Sequence, residues 1–155
     1  NPAAPTMGVM GVYDRSLLEP YAKVMENLGI RRGLVVYGTD HLDEISASAP
    51  TAVCEIKDGA TTLYEITPEQ FGYPRCRKSE LVGGTPEENA QIMRDILQGK
   101  DKGPKRDAVC MNAGAALYVA GSAKTLEEGV RLAEHLIDSG KAYEKLLAFV
   151  EASNQ

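Results

Sequence analysis

The fold of this chain is decided by Gly33-Leu34-Val35-Val36-Tyr37-Gly38. A short apolar run between two glycines is typical of a strand that is buried on both faces, as strands in parallel sheets are. A helical pattern precedes the run, since Asp14 is a candidate N-cap, apolar residues recur at helical spacing after it, and Gly29 supplies a stop. A helix, a short turn and a doubly buried, parallel strand make up half of an α/β unit, so these residues predict an α/β fold.

The region after this strand contains a hairpin signal. Residues 51–56 and 61–66 are rich in residues that favour strands, and Asp58-Gly59 lies between them. Asp-Gly between two such runs predicts a β-hairpin over residues 51–66. Residues 67–84 hold prolines, glycines and mixed charges, which predicts a long ordered loop.

The second half of the chain is predicted to be mainly helical. Thr85 and Glu88 have the spacing of a capping box, and so do Thr125 and Glu128, each at the start of an amphipathic pattern. Between these two helices we expect a charged loop over residues 100–106, a second buried strand over residues 108–111, and a helix of small residues over 115–120. Gly140 separates the last two helices.

Composition excludes several classes of protein. A length of 155 residues, 43% hydrophobic and 25% charged residues are ordinary for one globular domain. A net charge of -5 disfavours nonspecific nucleic-acid binding, and no apolar run approaches the roughly 20 residues of a membrane span. Residues 1–5 are not expected to be a signal peptide, because no basic segment precedes an apolar one. The three cysteines fit neither a zinc site nor a disulfide framework, so we expect incidental thiols of a cytosolic protein. The chain opens on Asn1-Pro2 without an initiator Met, which suggests a piece of a longer protein.

The chemistry is concentrated directly after the buried strand. Asp40, His41, Asp43 and Glu44 follow its carboxyl end, the edge at which open α/β sheets bind ligands. In an irregular loop the adjacent carboxylates of Asp43 and Glu44 can converge, and two hard oxygen ligands with room for water and phosphate suit Mg²⁺. A merely solvated acidic loop is the commoner alternative, and His41 is better explained as a surface residue than as a magnesium ligand.

The chain resembles the anthranilate phosphoribosyltransferases. The resemblance begins with Val35-Val36-Tyr37-Gly38, Asp40 and Leu42-Asp43-Glu44-Ile45-Ser46, which are similar to the signature of that family. It continues, in order along the chain, in Asn1-Pro2-Ala3, Pro68-Glu69-Gln70-Phe71-Gly72, Gly83-Gly84, Glu88-Asn89-Ala90, Arg106-Asp107-Ala108-Val109 and Asn112-Ala113-Gly114-Ala115-Ala116-Leu117-Tyr118. Two positions depart from the pattern: Tyr37 stands where the family commonly has His, and His41 where it commonly has Gly.

The resemblance implies a Mg²⁺-dependent transfer of phosphoribosyl from phosphoribosyl pyrophosphate to the amine of anthranilate, a step of tryptophan biosynthesis. It implies that Asp43 and Glu44 hold Mg²⁺ against the pyrophosphate, whose negative charge grows as the sugar becomes oxocarbenium-like. It also implies a cytoplasmic homodimer, with no nucleic-acid or membrane partner.

The family's architecture sets a further expectation for this chain. The resemblance implies that residues 1–155 are the C-terminal portion of the α/β phosphoribosyl-transfer domain, with part of its mostly parallel central sheet flanked by helices. The helical N-terminal domain, the glycine-rich phosphate loop and the arginine that contacts anthranilate would lie upstream of Asn1. Residues 1–155 alone are therefore expected to be inactive.

Several alternatives stay open. The chain could belong to a pyrimidine nucleoside phosphorylase-like enzyme, which the Asp-Glu-Ile-Ser motif disfavours, or to a non-catalytic nucleic-acid-binding relative, which the acidic charge disfavours. Gly83-Gly84-Thr85 could cradle a phosphate, but glutamates in the first helical turn favour capping. Asn112, placed at a strand-to-helix corner, is interpreted as structural, and the parts taken by Asp40, His41 and Asn1 are left open.

Overall fold

Residues 4–154, which the computed structural model describes, form a four-stranded sheet with helices on both faces. The strands are β1 (Met7–Gly11), β2 (Arg32–Gly38), β3 (Thr51–Lys57) and β4 (Ala60–Ile66), in spatial order β1-β2-β3-β4. The helices are α1 (Leu18–Asn27), α2 (Pro86–Leu97), α3 (Pro104–Val119), α4 (Leu126–Asp138) and α5 (Lys141–Ser153). The predicted α/β class is confirmed. The sheet is mixed, because β1 and β2 are parallel whereas β2–β3 and β3–β4 are antiparallel.

Strand β2 is buried on both faces, as the sequence predicted. Leu34 and Val36 point into the core beneath α2, α3 and α4, whereas Val35 and Tyr37 point into a second core beneath α1. Val36 is 1% exposed and Tyr37 8%. Because side chains alternate along a strand, only a strand covered on both sides can be apolar throughout.

Strand β1 was not anticipated from the sequence. Two of its five residues are glycines, Gly8 and Gly11, and glycine weakens the strand signal. The strand nevertheless pairs along its whole length with β2, with Gly8 opposite Gly33 and Gly11 opposite Val36. Since β1 and β2 are parallel, their carboxyl ends lie at the same edge of the sheet.

The predicted hairpin and the first helix are both confirmed. Asp58 and Gly59 join β3 to β4 with φ values of 53° and 78°, the two positive angles that a tight type I′ hairpin turn requires. Asp14 caps a short 3-10 turn that leads into α1, and its carboxylate accepts a hydrogen bond of 2.8 Å from the backbone N–H of Ser16. Pro20 lies in the first turn of α1, where it breaks no helical hydrogen bond.

The predicted second strand over residues 108–111 is wrong, because these residues lie inside α3. The charged loop expected over residues 100–106 is also too long, since α3 begins at Pro104. A four-residue apolar run cannot distinguish a strand from a buried helix by its period. The small residues of α3 allow a close crossing with α4, where a Cβ added to Gly129 would lie 2.3 Å from the carbonyl oxygen of Gly114. Asn112 therefore lies within a helix and not at a strand-to-helix corner.

The remaining helix ends agree with the sequence except for one capping box. Thr85 caps α2 with a full capping box, and Gly140, with φ at 80°, separates α4 from α5. Thr125 accepts the N–H of Glu128 at the start of α4, but the predicted capping box is incomplete, because the Glu128 carboxylate accepts the N–H of Lys124 at 2.8 Å. The ordered loop over residues 67–84 contains two short 3-10 turns, Pro68–Phe71 and Lys78–Leu81. None of the helices in residues 4–154 combines the length and the apolar character that crossing a bilayer demands.

Candidate functional site

The acidic loop, residues 39–50, leaves the carboxyl end of β2 through a tight turn. The N–H of His41 donates to the carbonyl oxygen of Gly38 at 2.8 Å, and the N–H of Gly38 donates to that of Leu42, also at 2.8 Å. The first and last residues of the loop are joined directly, because the N–H of Thr39 donates to the carbonyl oxygen of Pro50 at 2.9 Å. Both ends of the loop are thus fixed at the edge where the carboxyl ends of β1 and β2 meet.

Asp40 organises the inside of this loop. One of its carboxylate oxygens accepts hydrogen bonds from the hydroxyls of Ser46, at 2.9 Å, and Ser48. Its backbone carbonyl accepts a hydrogen bond from the ammonium of Lys78, which ties the loop to the 3-10 turn Lys78–Leu81. Because Asp40 binds the serine hydroxyls, it shapes the loop and is not presented to a ligand as Asp43 and Glu44 are.

Asp43 and Glu44 are exposed and line the same cavity, of about 440 Å³. Within the described residues neither carboxylate takes part in an ion pair, and no group of three His, Cys, Asp or Glu side chains is arranged to hold a metal. Two free carboxylates without a third protein ligand fit Mg²⁺, which keeps waters and binds substrate phosphates in place of a complete protein cage. Their assignment as metal ligands stays a prediction.

The rest of this cavity is mostly apolar. Its walls come from α2 and α3 and include Ile92, Ile96 and Val109. The polar side chains opposite the carboxylates are Asn89 and Lys105, and the ammonium of Lys105 donates to the carbonyl oxygen of Glu80 at 2.7 Å. A low-dielectric wall beside two carboxylates strengthens their attraction for a cation.

Asn112 holds the acidic loop from below. Its amide oxygen accepts the N–H of Ile45 at 3.0 Å, and its amide nitrogen donates to the carbonyl oxygen of Ile45 at 2.9 Å. Ile45 directly follows Glu44, so this double hydrogen bond fixes the backbone next to the candidate ligands. The structural interpretation of Asn112 from sequence is confirmed, but its contact with the acidic loop was missed; the one available signal was an isolated amide in a helix of small, buried residues.

Strand β1 also contacts the loop. A Cβ added to Gly11 would lie 1.5 Å from the carbonyl oxygen of Asp43, so the two backbones touch at a distance that only glycine permits. Sequence reasoning found neither the strand nor this contact, because Gly11 and Asp43 are far apart in the chain. The position of Asp43 is therefore set by β1 as well as by its own loop.

The two positions that depart from the family pattern are in contact with each other. The hydroxyl of Tyr37 lies 3.0 Å from Nδ1 of His41, and the rings meet edge to face with centroids 6.1 Å apart. His41 has a φ of 65°, a left-handed conformation that favours glycine and costs another residue about 1–3 kcal/mol. The hydrogen bond contributes about 0.5–1.5 kcal/mol and offsets part of that cost.

The competing phosphate cradle is not formed. At residues 83–85 the N–H of Gly84 donates to the side chain of Asn89 at 2.9 Å, and that of Thr85 donates to Glu88 at 2.7 Å. These amides are engaged by the capping helix and are not directed at an anion, so the capping interpretation is confirmed.

The cysteines and His135 lie apart from this chemistry. Cys54 and Cys110 are buried, Cys76 is partly buried, and all three thiols are free. Burial raises the pKa of each cysteine, which disfavours the thiolate form that a nucleophile or a metal ligand needs. His135 is exposed on α4, as expected of a residue on a helix surface.

The sequence of this chain is similar to known proteins. Residues 1–143 match the model of a family described as the glycosyl transferase family, a/b domain. The anthranilate phosphoribosyltransferase of Methanobrevibacter smithii is 56% identical over 99% of this chain and 46% of its own length, and that of Lachnoclostridium phytofermentans is 49% identical over 100% and 46%. The chain thus spans about half the length of the curated relatives it matches. The opening Asn1-Pro2-Ala3 of the resemblance lies outside the described residues.

Solved structures agree with these sequence matches. Anthranilate phosphoribosyltransferase from Thermus thermophilus superposes with a TM-score of 0.83 at 42% identity, covering 91% of this chain and 41% of the other. The enzyme from Saccharomyces cerevisiae in complex with PRPP and Mg superposes with a TM-score of 0.86 at 28% identity, covering 94% and 42%. The resemblance predicted from the sequence is confirmed over nearly the whole chain.

Proposed function

The chain belongs to the glycosyl transferase family with this a/b domain, and on that premise we propose that the protein carrying it is an anthranilate phosphoribosyltransferase. It transfers phosphoribosyl from phosphoribosyl pyrophosphate to the amine of anthranilate, releases pyrophosphate, and so serves tryptophan biosynthesis. The proposal includes a cytoplasmic homodimer without a nucleic-acid partner, and the net charge of -5 disfavours nonspecific binding of nucleic acid.

One observation carries the proposal. Asp43 and Glu44 stand side by side at the carboxyl edge of the sheet, exposed and bordering one cavity, with no ion pair among the described residues to neutralise them. Two free carboxylates would repel a pyrophosphate, so they favour that substrate only with a cation between them. The enzyme from Saccharomyces cerevisiae was solved with both PRPP and Mg.

The chain's own residues position the cation, and the cation would stabilise the negative charge that grows on pyrophosphate as the bond breaks. Asp43 and Glu44 would hold Mg²⁺, which when bound supplies positive charge to the departing pyrophosphate and orients it. Asp40 and Asn112 fix the backbone on either side of the two ligands through the hydrogen bonds described above. The anthranilate amine already carries a lone pair, so the reaction demands no strong general base from this chain.

The test removes one charge at a time in the protein that carries this chain. Asp43→Asn and Glu44→Gln are each expected to lower kcat/KM for phosphoribosyl pyrophosphate about 100-fold, which corresponds to about 2.7 kcal/mol of transition-state stabilisation. Glu144→Gln is the matched control, because it removes one exposed carboxylate on α5, away from the cavity. Full activity of both ligand variants would refute the assignment of these carboxylates.

The proposal also covers residues 1–155 when they are expressed alone. They are expected to be inactive, because the family's phosphate loop and anthranilate-contacting arginine are not among them. The measurement is pyrophosphate release from phosphoribosyl pyrophosphate with anthranilate and Mg²⁺. Clear turnover by the isolated chain would contradict the expectation.

A further inference from the structure

The turn that leads into the acidic loop contains a conformation that its own residue disfavours. His41 has a φ of 65°, in the left-handed region. The turn closes only with this geometry, because the N–H of His41 must reach the carbonyl oxygen of Gly38 and the carbonyl of Leu42 must face the N–H of Gly38. A non-glycine residue returns to negative φ unless the surrounding structure holds it.

Tyr37 is the side chain that can hold it. It lies on β2 opposite Ala52, and its ring is packed in the core beneath α1 together with Val12 and Leu18. Its hydroxyl emerges from that core and meets Nδ1 of His41 at 3.0 Å. Either group can donate this hydrogen bond, according to the tautomer of the His41 ring. A rigid core residue is thereby tied to the strained residue of the turn.

We infer that Tyr37 and His41 are positioning residues, whose hydrogen bond sets the place of Asp43 and Glu44 and thereby the affinity of the site for a divalent cation. Asp43 is two residues beyond His41, so a change of φ at His41 swings its carboxylate directly. This inference rests on the proposed function for what the two carboxylates do.

The mechanism makes the two residues interdependent. If the hydroxyl is removed, His41 loses its side-chain tether, and only the two backbone hydrogen bonds of the turn oppose its relaxation away from the left-handed conformation. If His41 is replaced by glycine, the turn keeps its geometry without any tether, because glycine adopts positive φ readily. The effect of removing the Tyr37 hydroxyl should therefore depend on which residue stands at position 41.

The experiment is a double-mutant cycle in the full-length protein, with Mn²⁺ alone as the probe and electron paramagnetic resonance as the readout of binding. Tyr37→Phe is expected to weaken Mn²⁺ binding about fivefold, the effect of losing roughly one hydrogen bond. His41→Gly and the double variant are both expected to bind within about twofold of the unmodified protein, so that the effect of Tyr37→Phe disappears in the glycine background. Tyr21→Phe is the control, since Tyr21 is exposed on α1 and its hydroxyl makes no hydrogen bond within residues 4–154.

Two results would overturn the inference: unchanged binding in Tyr37→Phe, or an equal loss in both backgrounds, which is what general destabilisation of the core would give. Asp43→Asn separates this failure from that of the proposed function. If Asp43→Asn weakens Mn²⁺ binding and Tyr37→Phe does not, only the positioning role fails. If neither substitution changes binding, the metal site and the positioning role fail together.

Discussion

Replacing Gly11 by alanine should displace Asp43 without touching its side chain. The added Cβ would lie 1.5 Å from the carbonyl oxygen of Asp43 and 2.4 Å from its carbonyl carbon. Because a Cβ essentially never lies within 3.0 Å of such an atom, one of the two backbones must move by at least about 1.5 Å. Gly11 is held in the ladder opposite Val36, whereas Asp43 lies in a loop, so the movement falls mainly on Asp43.

The expected magnitudes follow from that displacement. Overpacking of this kind costs about 1–3 kcal/mol of stability, and a misplacement of about 1 Å at a reacting centre can lower the rate about 100-fold. Gly11→Ala should therefore lose about 100-fold in kcat/KM for phosphoribosyl pyrophosphate in the full-length protein, and its urea midpoint should fall. The activity loss should exceed what the unfolded fraction explains.

The same strand offers a matched control. Gly8 also lies on β1, but a Cβ added to it would meet nothing within 4 Å. Gly8→Ala should change stability by no more than about 0.5 kcal/mol and leave activity intact. If Gly11→Ala is as active and as stable as Gly8→Ala, the contact between β1 and the acidic loop does not position Asp43, and the reasoning is refuted.

Three further predictions concern the helices that support the site. Asn112→Ala removes both hydrogen bonds to Ile45, so it should lower the free energy of urea unfolding by about 1–3 kcal/mol. It should also raise the Mg²⁺ concentration for half-maximal activity, and an unchanged Mg²⁺ requirement would show that the contact is only structural. Gly129→Ala places a Cβ against the carbonyl oxygen of Gly114 and should lower the free energy of thermal unfolding by about 1–3 kcal/mol. A variant as stable as the unmodified protein would contradict the close helix crossing. Burial raises the pKa of Asp107, so the folded state binds the extra proton and stability falls as pH rises from the ordinary carboxyl pKa to the raised one. In urea unfolding, Asp107→Asn should then raise the free energy of unfolding more at pH 7 than at a pH near the ordinary carboxyl pKa. An increase in this free energy that does not depend on pH would exclude burial of the charged carboxylate as its cause.

Local signals decided which elements could be predicted from the sequence. The apolar run of β2, the Asp58-Gly59 turn and the Thr85 cap each act through neighbours in the chain, and all three were found. Strand β1 was missed because Gly11 is required by a contact with Asp43, which no local pattern contains. Residues 108–111 were misassigned because an apolar run of that length fits a buried helix as well as a strand.

The same distinction applies to the candidate site. Asp43 and Glu44 could be singled out as candidate ligands because they follow the carboxyl end of a buried strand, a position that local sequence reveals, and their role stays a prediction. The residues that hold them in place are remote: Asn112 is 67 residues from Ile45 in the chain, and Lys78 is 38 residues from Asp40. A candidate ligand can be chosen from its neighbours in the chain, but the residues that position it become visible only when the fold brings them together.

His41 shows why a positive φ can be hidden in a sequence. In a sequence, a left-handed residue is usually recognised because it is glycine. Here the residue is a histidine, His41, although its backbone has a φ of 65°. The Tyr37 hydroxyl, 3.0 Å from Nδ1 of His41, offers a hydrogen bond that offsets part of the cost of this conformation. Two departures from the family pattern that look unrelated in the sequence are in direct contact in the structure, where the Tyr37 hydroxyl can restrain the left-handed backbone of His41.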